Sequence, residues 1–222
     1  MQYLYNELAG RASLELKGDE HRYIFKVRRH RVNDKIYLRN LEDSILYCYI
    51  IEYIDKKEAN LRLESQEIYI VKSKKNLHIG WCIIEPKNIE KILPTLNEMG
   101  VAKITFIYCE RSQKSFKLDF NRLNKILLNS SQQSGRSILM ELDRADNLNS
   151  FLQKNKDSYL LNFSKNIIGN NLDIKTIIVG CEGGLSDSEL SLFNKDRVVG
   201  FDTSLILKSE SAVCAVASKL LL

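Results

Sequence analysis

One stretch limits the possible folds more than any other: Val179-Gly180-Cys181-Glu182-Gly183-Gly184-Leu185-Ser186-Asp187-Ser188-Glu189. The β-branched run from Thr176 to Val179 reads as a buried strand and enters a glycine-rich turn directly. Ser186 and Glu189 then have the Ser-x-x-Glu spacing of a capping box, which starts a helix. Gly183 and Gly184 can take positive φ, and bare glycine amides let a ligand approach the backbone. A ligand loop and a plain strand-to-helix turn both satisfy the pattern.

The alternation implied by this junction extends from about residue 73 to the C-terminus. Strands are expected at Leu77–Ile84, Ile104–Tyr108, Tyr159–Phe163, Thr176–Val179 and Arg197–Gly200. Between them, Ile89, Ile92, Leu93 and Leu96 share a helical face that Gly100 ends, with Pro94 expected to kink that helix or open a new one. Phe120–Ser134 reads as a long helix closed by Gly135, and Leu148–Gln153 as a short one. Ser209 is expected to cap a closing helix with Glu210 in its first turn. Strands separated by helices predict a largely parallel sheet, covered on both faces. Residues 1–72 differ. Lys35–Arg39, Ile45–Ile54, Asn60–Leu63 and Ile68–Val71 read as short strands, which a small β-barrel would close without exposed edges.

At 222 residues the chain can bury a substantial core. No apolar run approaches the length of a membrane span, and no basic-then-apolar leader opens it, so a soluble, cytoplasmic protein is expected. The five cysteines stand singly and the three histidines lack ligand spacing. They are expected as free, mostly buried thiols, with no metal site and no catalytic partner near Cys181.

The net charge of +5 is unevenly placed. Arg22, Lys26, Arg28, Arg29, Arg31, Lys35 and Arg39 lie between His21 and Arg39, interleaved with Tyr23, Phe25 and Tyr37. Clustered cations with aromatics suit phosphate neutralisation and base stacking. A solvated strand face is the alternative. Nucleic-acid contact is expected at Arg22, Lys26, Arg28, Arg29 and Arg31.

A second motif, Ile206-Leu207-Lys208-Ser209-Glu210-Ser211-Ala212, joins the Gly180-Cys181-Glu182-Gly183-Gly184 loop in a recognisable pair. Together they resemble the two C-terminal signatures of the RsmE family, approximately Gly-Pro-Glu-Gly-Gly and Leu-Gly-x-Arg-Ile-Leu-Arg-Thr-Glu-Thr-Ala. Glu98-Met99-Gly100-Val101, Glu110-Arg111-Ser112 and Gln133-Ser134-Gly135-Arg136 resemble further family segments in the same order, as does Val27-Arg28-Arg29 with Asn33-Asp34 upstream. The departures are Cys181 for the proline, Leu205 for an arginine, Asp202-Thr203 for Leu-Gly, and Thr95 where a lysine is common.

The resemblance implies an enzyme that methylates N3 of a uridine in 16S ribosomal RNA, with S-adenosylmethionine as donor. It implies a trefoil-knotted SPOUT α/β methyltransferase domain at 73–222 behind a PUA-like, RNA-binding β-barrel at 1–72, working as a homodimer on 16S rRNA or the small ribosomal subunit. Leu161, Gly180, Glu182, Gly183, Gly184, Phe201 and Leu207 would line the donor pocket, with Asn162 in the first loop. Glu210, Arg136 and Arg111 would be the catalytic candidates, and the nucleic acid met by the basic segment would be RNA. Glu182 and Glu210 also fit plainer roles, as loop-amide acceptor and helix-dipole complement. A non-catalytic RNA-binding protein would keep the basic segment without needing the glycine loop, and a related methyltransferase would act at another RNA position.

Overall fold

The computed structural model describes residues 2–169 and 172–222. Two compact units form, Met1–Lys72 with Ser131–Ile138, and Ser73–Ser130 with Leu139–Leu222.

The first unit holds β1 (Leu4–Tyr5), β2 (Ser13–Lys17), α1 (Gly18–His21), a π-helical stretch Arg22–Val27, β3 (Lys35–Arg39), β4 (Ile45–Ile54) and β5 (Glu58–Ile68). Strand order is β1-β3-β4-β5-β2, with β1 parallel to β3 and the other pairs antiparallel. Alternation drives the burial: Leu14 and Leu16 of β2 point inward while Ser13, Glu15 and Lys17 face solvent. The expected closed barrel is instead a curled sheet, with β1 and β2 at opposite ends of the order. The strand expected at 60–63 is longer, β5 running from Glu58 to Ile68, while the one expected at 68–71 does not form: only Ile68 is in β5, and Tyr69–Val71 are not strand. Register shifts against β4 at Cys48/Tyr49 and Ile51/Tyr53 mark irregularities that bend the pair without ending it. The basic segment also departs from a strand reading, since Arg22 and Lys26 lie on the π-helical stretch. Arg39 is no surface cation: it is 1% exposed, with Tyr3 and Tyr69 ring centroids 5.4 and 5.9 Å from its guanidinium carbon. Burial lowers its pKa, and the same burial pushes Tyr3 up to about 12. Ser131–Ile138 joins this unit through β1, where Tyr3 and Tyr5 amides donate to Gln132 and the Tyr3 hydroxyl donates to the Arg136 carbonyl.

The second unit contains β6 (His78–Cys82), α2 (Pro86–Met99), β7 (Lys103–Ile107), α3 (Phe120–Ser134), β8 (Glu141–Ala145), α4 (Leu148–Lys154), β9 (Tyr159–Leu161), β10 (Thr176–Val179), α5 (Asp187–Leu190), β11 (Val198–Val199) and α6 (Ser209–Leu221). The last turn of α3, from Ser131, groups with the first unit. The sheet is wholly parallel, in the order β11-β9-β10-β6-β7-β8. Side chains alternate along β6. Gly80 faces the Phe151 ring of α4, whereas Trp81 faces α6 through Ser209, so the sheet is covered on both sides. α2 continues through Pro94 as one helix and stops at Gly100, whose φ is 95°. Cys82 and Cys109, expected as free thiols, are joined by a disulfide across the ends of β6 and β7; Cys48, Cys181 and Cys214 are free. Spacing along the chain conceals this pair because parallel neighbours are brought together only by the fold. Among the described residues, no helix is long and apolar enough to cross a membrane, and no group of three or more candidate metal ligands occurs.

Strand order reverses direction at β6, with β7 and β8 on one side and β10, β9 and β11 on the other. Ligand crevices in open α/β sheets lie beyond strand C-termini at such a switch. The loops after β9, β10 and β11 all leave from that edge.

Candidate functional site

The loop after β10 is held from four directions. Gly184 N–H donates to the Cys181 carbonyl at 2.9 Å and closes the turn. Gly184 takes a φ of 68°; of the Gly183–Gly184 pair it alone uses the left-handed region. Ser186 and Glu189 form both halves of the capping box: Glu189 N–H donates to Ser186 Oγ at 3.2 Å, and Ser186 N–H to Glu189 Oε2 at 3.0 Å. Glu189 is only 5% exposed, and its second oxygen accepts the Glu110 amide at 2.9 Å. One carboxylate thus joins two loops.

The segment after β7 closes the clamp. Arg111 Nη1 donates to the Gly183 carbonyl at 2.9 Å, and a Cβ on Gly183 would lie 3.5 Å from Arg111 Cβ. Ser188 Oγ bonds both Glu110 carboxylate oxygens at 3.0 and 3.1 Å. Hydrogen bonds from Ser186 and then Ser188 hold the Glu110 carboxyl below its ordinary range. Glu182 and Gly183 remain exposed at the tip.

The loops after β9 and β11 interlock. Asn162 N–H donates to Val199 O, Gly200 N–H to Asn166 O, and Ile168 N–H to Gly200 O, each at 2.9 Å. Ser164 Oγ adds a bond to Val198 O at 3.0 Å. A Cβ on Gly200 would sit 2.7 Å from Ser164 O, so the chain there passes too close for any side chain. Leu161 and Phe201 are half-buried beside this crossing, and Leu207 is exposed.

Ser209 ties the third loop to the glycine loop. It is the first residue of α6 rather than its N-cap, which is Lys208. Its hydroxyl donates to the Gly180 carbonyl at 2.5 Å and accepts from Trp81 Nε1 at 2.9 Å. Glu210 follows, with Oε2 buried and without a hydrogen-bond partner. Cys214, one turn on, has its thiol pKa raised by burial and then by the Glu210 charge.

The fold therefore brings Leu161, Gly180, Glu182, Gly183, Gly184, Phe201, Leu207 and Glu210 to one edge of the sheet, with Arg111 against the glycine loop. Arg136 has a different setting. It groups with the first unit, is 8% exposed, and donates through Nε to the Ile138 carbonyl at 2.6 Å. Arg22, Lys26, Arg28, Arg29 and Arg31 are all exposed on the first unit. A cavity of about 600 Å³ adjoins the glycine loop through Ser188 and Glu189, with Tyr108, Lys114 and Asn147 among its walls. Its lining is drawn from the β7 and β8 ends and from α5. Glu110, Ser188 and Glu189 belong to segments already marked in the sequence, whereas Tyr108, Lys114 and Asn147 carry no motif and reach the cavity through the parallel pairing of β7 with β8.

Comparison with known proteins places this geometry. An RNA methyltransferase domain model matches residues 71–221, and an RNA methyltransferase PUA domain model matches residues 16–64. Ribosomal RNA small subunit methyltransferase E of Helicobacter pylori strain J99 is 36% identical, the match covering 98% of each chain. The chain belongs to the RsmE family. Among solved structures, a Ribosomal RNA small subunit methyltransferase E from Neisseria gonorrhoeae bound to S-adenosyl methionine superposes with a TM-score of 0.75 at 18% identity, covering 98% of this chain and 96% of that one. A Legionella pneumophila protein in complex with the bound cofactor SAM gives 0.79 at 23% identity, covering 98% and 94%. The second unit thus has the SPOUT-like α/β architecture of RsmE proteins. Within that family pattern, the Glu-Arg-Ser segment at 110–112 acts here as the clamp on the glycine loop.

Proposed function

We propose that the protein transfers a methyl group from S-adenosylmethionine to N3 of a uridine in 16S ribosomal RNA of the small subunit. The observation that carries this reading is the clamped Gly180–Gly184 loop, set beside the interlocked β9 and β11 loops at the sheet's C-terminal edge. Relatives matched along almost the full chain bear a ribosomal RNA small subunit methyltransferase name, and two solved relatives of the same fold carry the donor.

The residues present fit that donor. The exposed Gly183 backbone offers polar contacts without a side chain in the way, while Leu161, Phe201 and Leu207 offer apolar surface for an adenine. When bound, the donor supplies an electrophilic methyl group on a sulfonium. Neutral uridine carries a proton on N3, so the protein must accept that proton or stabilise the anion. Glu210 is the candidate acceptor, its Oε2 being buried without a partner. Arg111 is bonded to the Gly183 carbonyl and acts as a positioning residue for the loop. Arg136, committed to the Ile138 carbonyl, serves the first unit's framework in this reading.

The trefoil knot belongs to the same proposal, supported by the tight crossing of Gly200 under residues 162–168. So does the homodimer: Phe163, Leu205 and Ile206 are 77, 72 and 81% exposed, large apolar side chains that a second copy would cover. Calorimetric titration with S-adenosylmethionine tests the donor site. Saturable binding lost in Gly183→Arg, followed by a new methylated uridine in unmodified 16S rRNA, is the expected result. A folded wild type that binds no donor, with or without RNA, would overturn the reading in favour of a non-catalytic RNA-binding protein.

A further inference from the structure

The first unit contains a second cavity, of about 290 Å³, between β1, β3 and the π-helical stretch. Its floor is apolar, with Leu4, Ile24 and Ile36 each buried. Tyr23 and Tyr37 stand as aromatic walls. Tyr23 is 40% exposed, so its ring is accessible at the mouth. A cleft of this size, at the lower limit for a small-molecule site, accommodates one flat heterocycle with its sugar.

The charge at its rim is more selective than a count of cations suggests. Lys35 Nζ lies 2.7 Å from Glu64 Oε2, and His30 Nδ1 lies 3.4 Å from Asp34 Oδ2. Arg28 is different. Its Nε and Nη2 donate to the Tyr23 hydroxyl at 3.0 and 2.9 Å, and its Nη1 donates to Gln2 Oε1, so all three bonds go to neutral groups. The guanidinium also lies 5.3 Å from the Tyr23 ring centroid. Three bonds hold it, and among the described residues no carboxylate forms an ion pair with it. A cation held at the hydroxyl end of an exposed tyrosine, over an apolar floor, calls for a ligand that is flat, aromatic and anionic.

We infer that this cleft is a single-nucleotide subsite for single-stranded RNA, taking a splayed-out base against Tyr23 and Tyr37 and the adjoining phosphate on Arg28. The inference rests on the ribosomal RNA reading above and deepens it, by assigning one defined base-holding cleft within the segment of interleaved cations and aromatics. The π-helical turn is what makes the site: Arg28 N–H bonds the Tyr23 carbonyl at 2.9 Å, five residues back, which sets Arg28 over Tyr23.

The test is fluorescence anisotropy of the full chain with fluorescein-labelled hexauridylate, without donor, across a salt series. Tyr23→Ala is expected to weaken binding about 5- to 150-fold at every salt concentration, with the salt slope preserved. Arg28→Ala is expected to reduce the slope by about 0.7, the signature of one lost phosphate contact on a single strand. Tyr53→Ala, an exposed tyrosine on β4, should bind as wild type does. An RNA hexamer carrying 2-aminopurine should be quenched on binding the unmodified protein, which tests stacking without any variant. Wild-type affinity in Tyr23→Ala, equal loss in Tyr53→Ala, or no quenching would each overturn the subsite. Donor titration of the same samples separates the two readings: donor binding without oligonucleotide binding removes the subsite alone, and the reverse removes the transferase alone.

Discussion

Replacing Ser209 with alanine tests how the glycine loop is held. The side chain is 5% exposed, and its hydroxyl serves the Gly180 carbonyl and the indole N–H of fully buried Trp81 at once. Alanine leaves that N–H without an acceptor, which costs about 1–3 kcal/mol for a buried donor, and it removes the Gly180 bond, worth about 1 kcal/mol net. The expected destabilisation is about 2–4 kcal/mol. For a chain of this length that lowers Tm by about 4–16 °C. Trp81→Phe removes the donor instead of stranding it. On that background Ser209→Ala should cost only about 1 kcal/mol, giving a coupling of about 1–3 kcal/mol in a double-mutant cycle. Urea unfolding and thermal melts of the four proteins measure the cycle. Hydrogen exchange gives an independent readout, because amides from 181 to 185 should exchange faster when the Gly180 anchor is lost. A Ser209→Ala melt within about 1 °C of wild type, or an equal cost in both backgrounds, refutes the reasoning.

Three further outcomes follow from the same geometry. Gly200→Ala forces a Cβ within 2.7 Å of Ser164 O and 2.9 Å of Ser164 N, both backbone, so it should cost about 1–3 kcal/mol or more and be visible in thermal melts. Glu189→Ala strands the amides of Glu110 and Ser186, and should cost about 2–4 kcal/mol by urea unfolding, with Glu189→Gln milder because it keeps one acceptor. His78 is half-buried; that desolvation, and then the Lys103 charge, lower its pKa from 6.5 to about 4. The unfolded chain therefore takes that proton first, so stability is full above pH 6.5 and falls as pH drops toward 4. After allowance for the ring's partial exposure the loss is on the order of 2 kcal/mol; His78→Asn should flatten this dependence in urea titrations at pH values across the window, and an unchanged dependence would refute the assignment.

Much of this architecture was legible from local pattern. The spans Ile45–Ile54, Phe120–Ser134 and Thr176–Val179 coincide with β4, α3 and β10, because each has a periodicity of its own and a clear boundary residue. The capping box at Ser186 and Glu189 is local chemistry and forms as expected. The misses involve partners distant in sequence. β8 is the charged run Glu141-Leu142-Asp143-Arg144-Ala145, which carries little strand signal of its own and is held by pairing with β7 at the sheet edge. Ser209 has the right residue type for a cap, yet Gly180 and Trp81 claim its hydroxyl. Arg39 reads as one more cation until Tyr3 and Tyr69 enclose it. For the site, the glycine loop and its flanking motifs were visible in the sequence. The double use of Glu189 was not, since its second bond reaches Glu110 across the sheet's end.

The departures from the RsmE pattern divide along the same line. Cys181 stands where the family has proline, whose ring would fix the backbone by itself. Here the turn is closed twice over: Gly184 N–H bonds the Cys181 carbonyl at 2.9 Å, and Cys181 Sγ reaches the Gly184 carbonyl at 3.4 Å. The thiol is 8% exposed and packs into the core, so the substitution is absorbed where it occurs. Thr203, in place of a glycine, behaves similarly, accepting the Leu205 amide on its own hydroxyl at 3.1 Å. Leu205 is of another kind. At 72% exposure it touches too little of the fold to be constrained by it, and it exchanges the family's cation for apolar surface beside Ile206. Packing absorbs Cys181 and a local hydroxyl bond absorbs Thr203; neither places a demand on Leu205, an exposed apolar side chain that the fold itself does not explain.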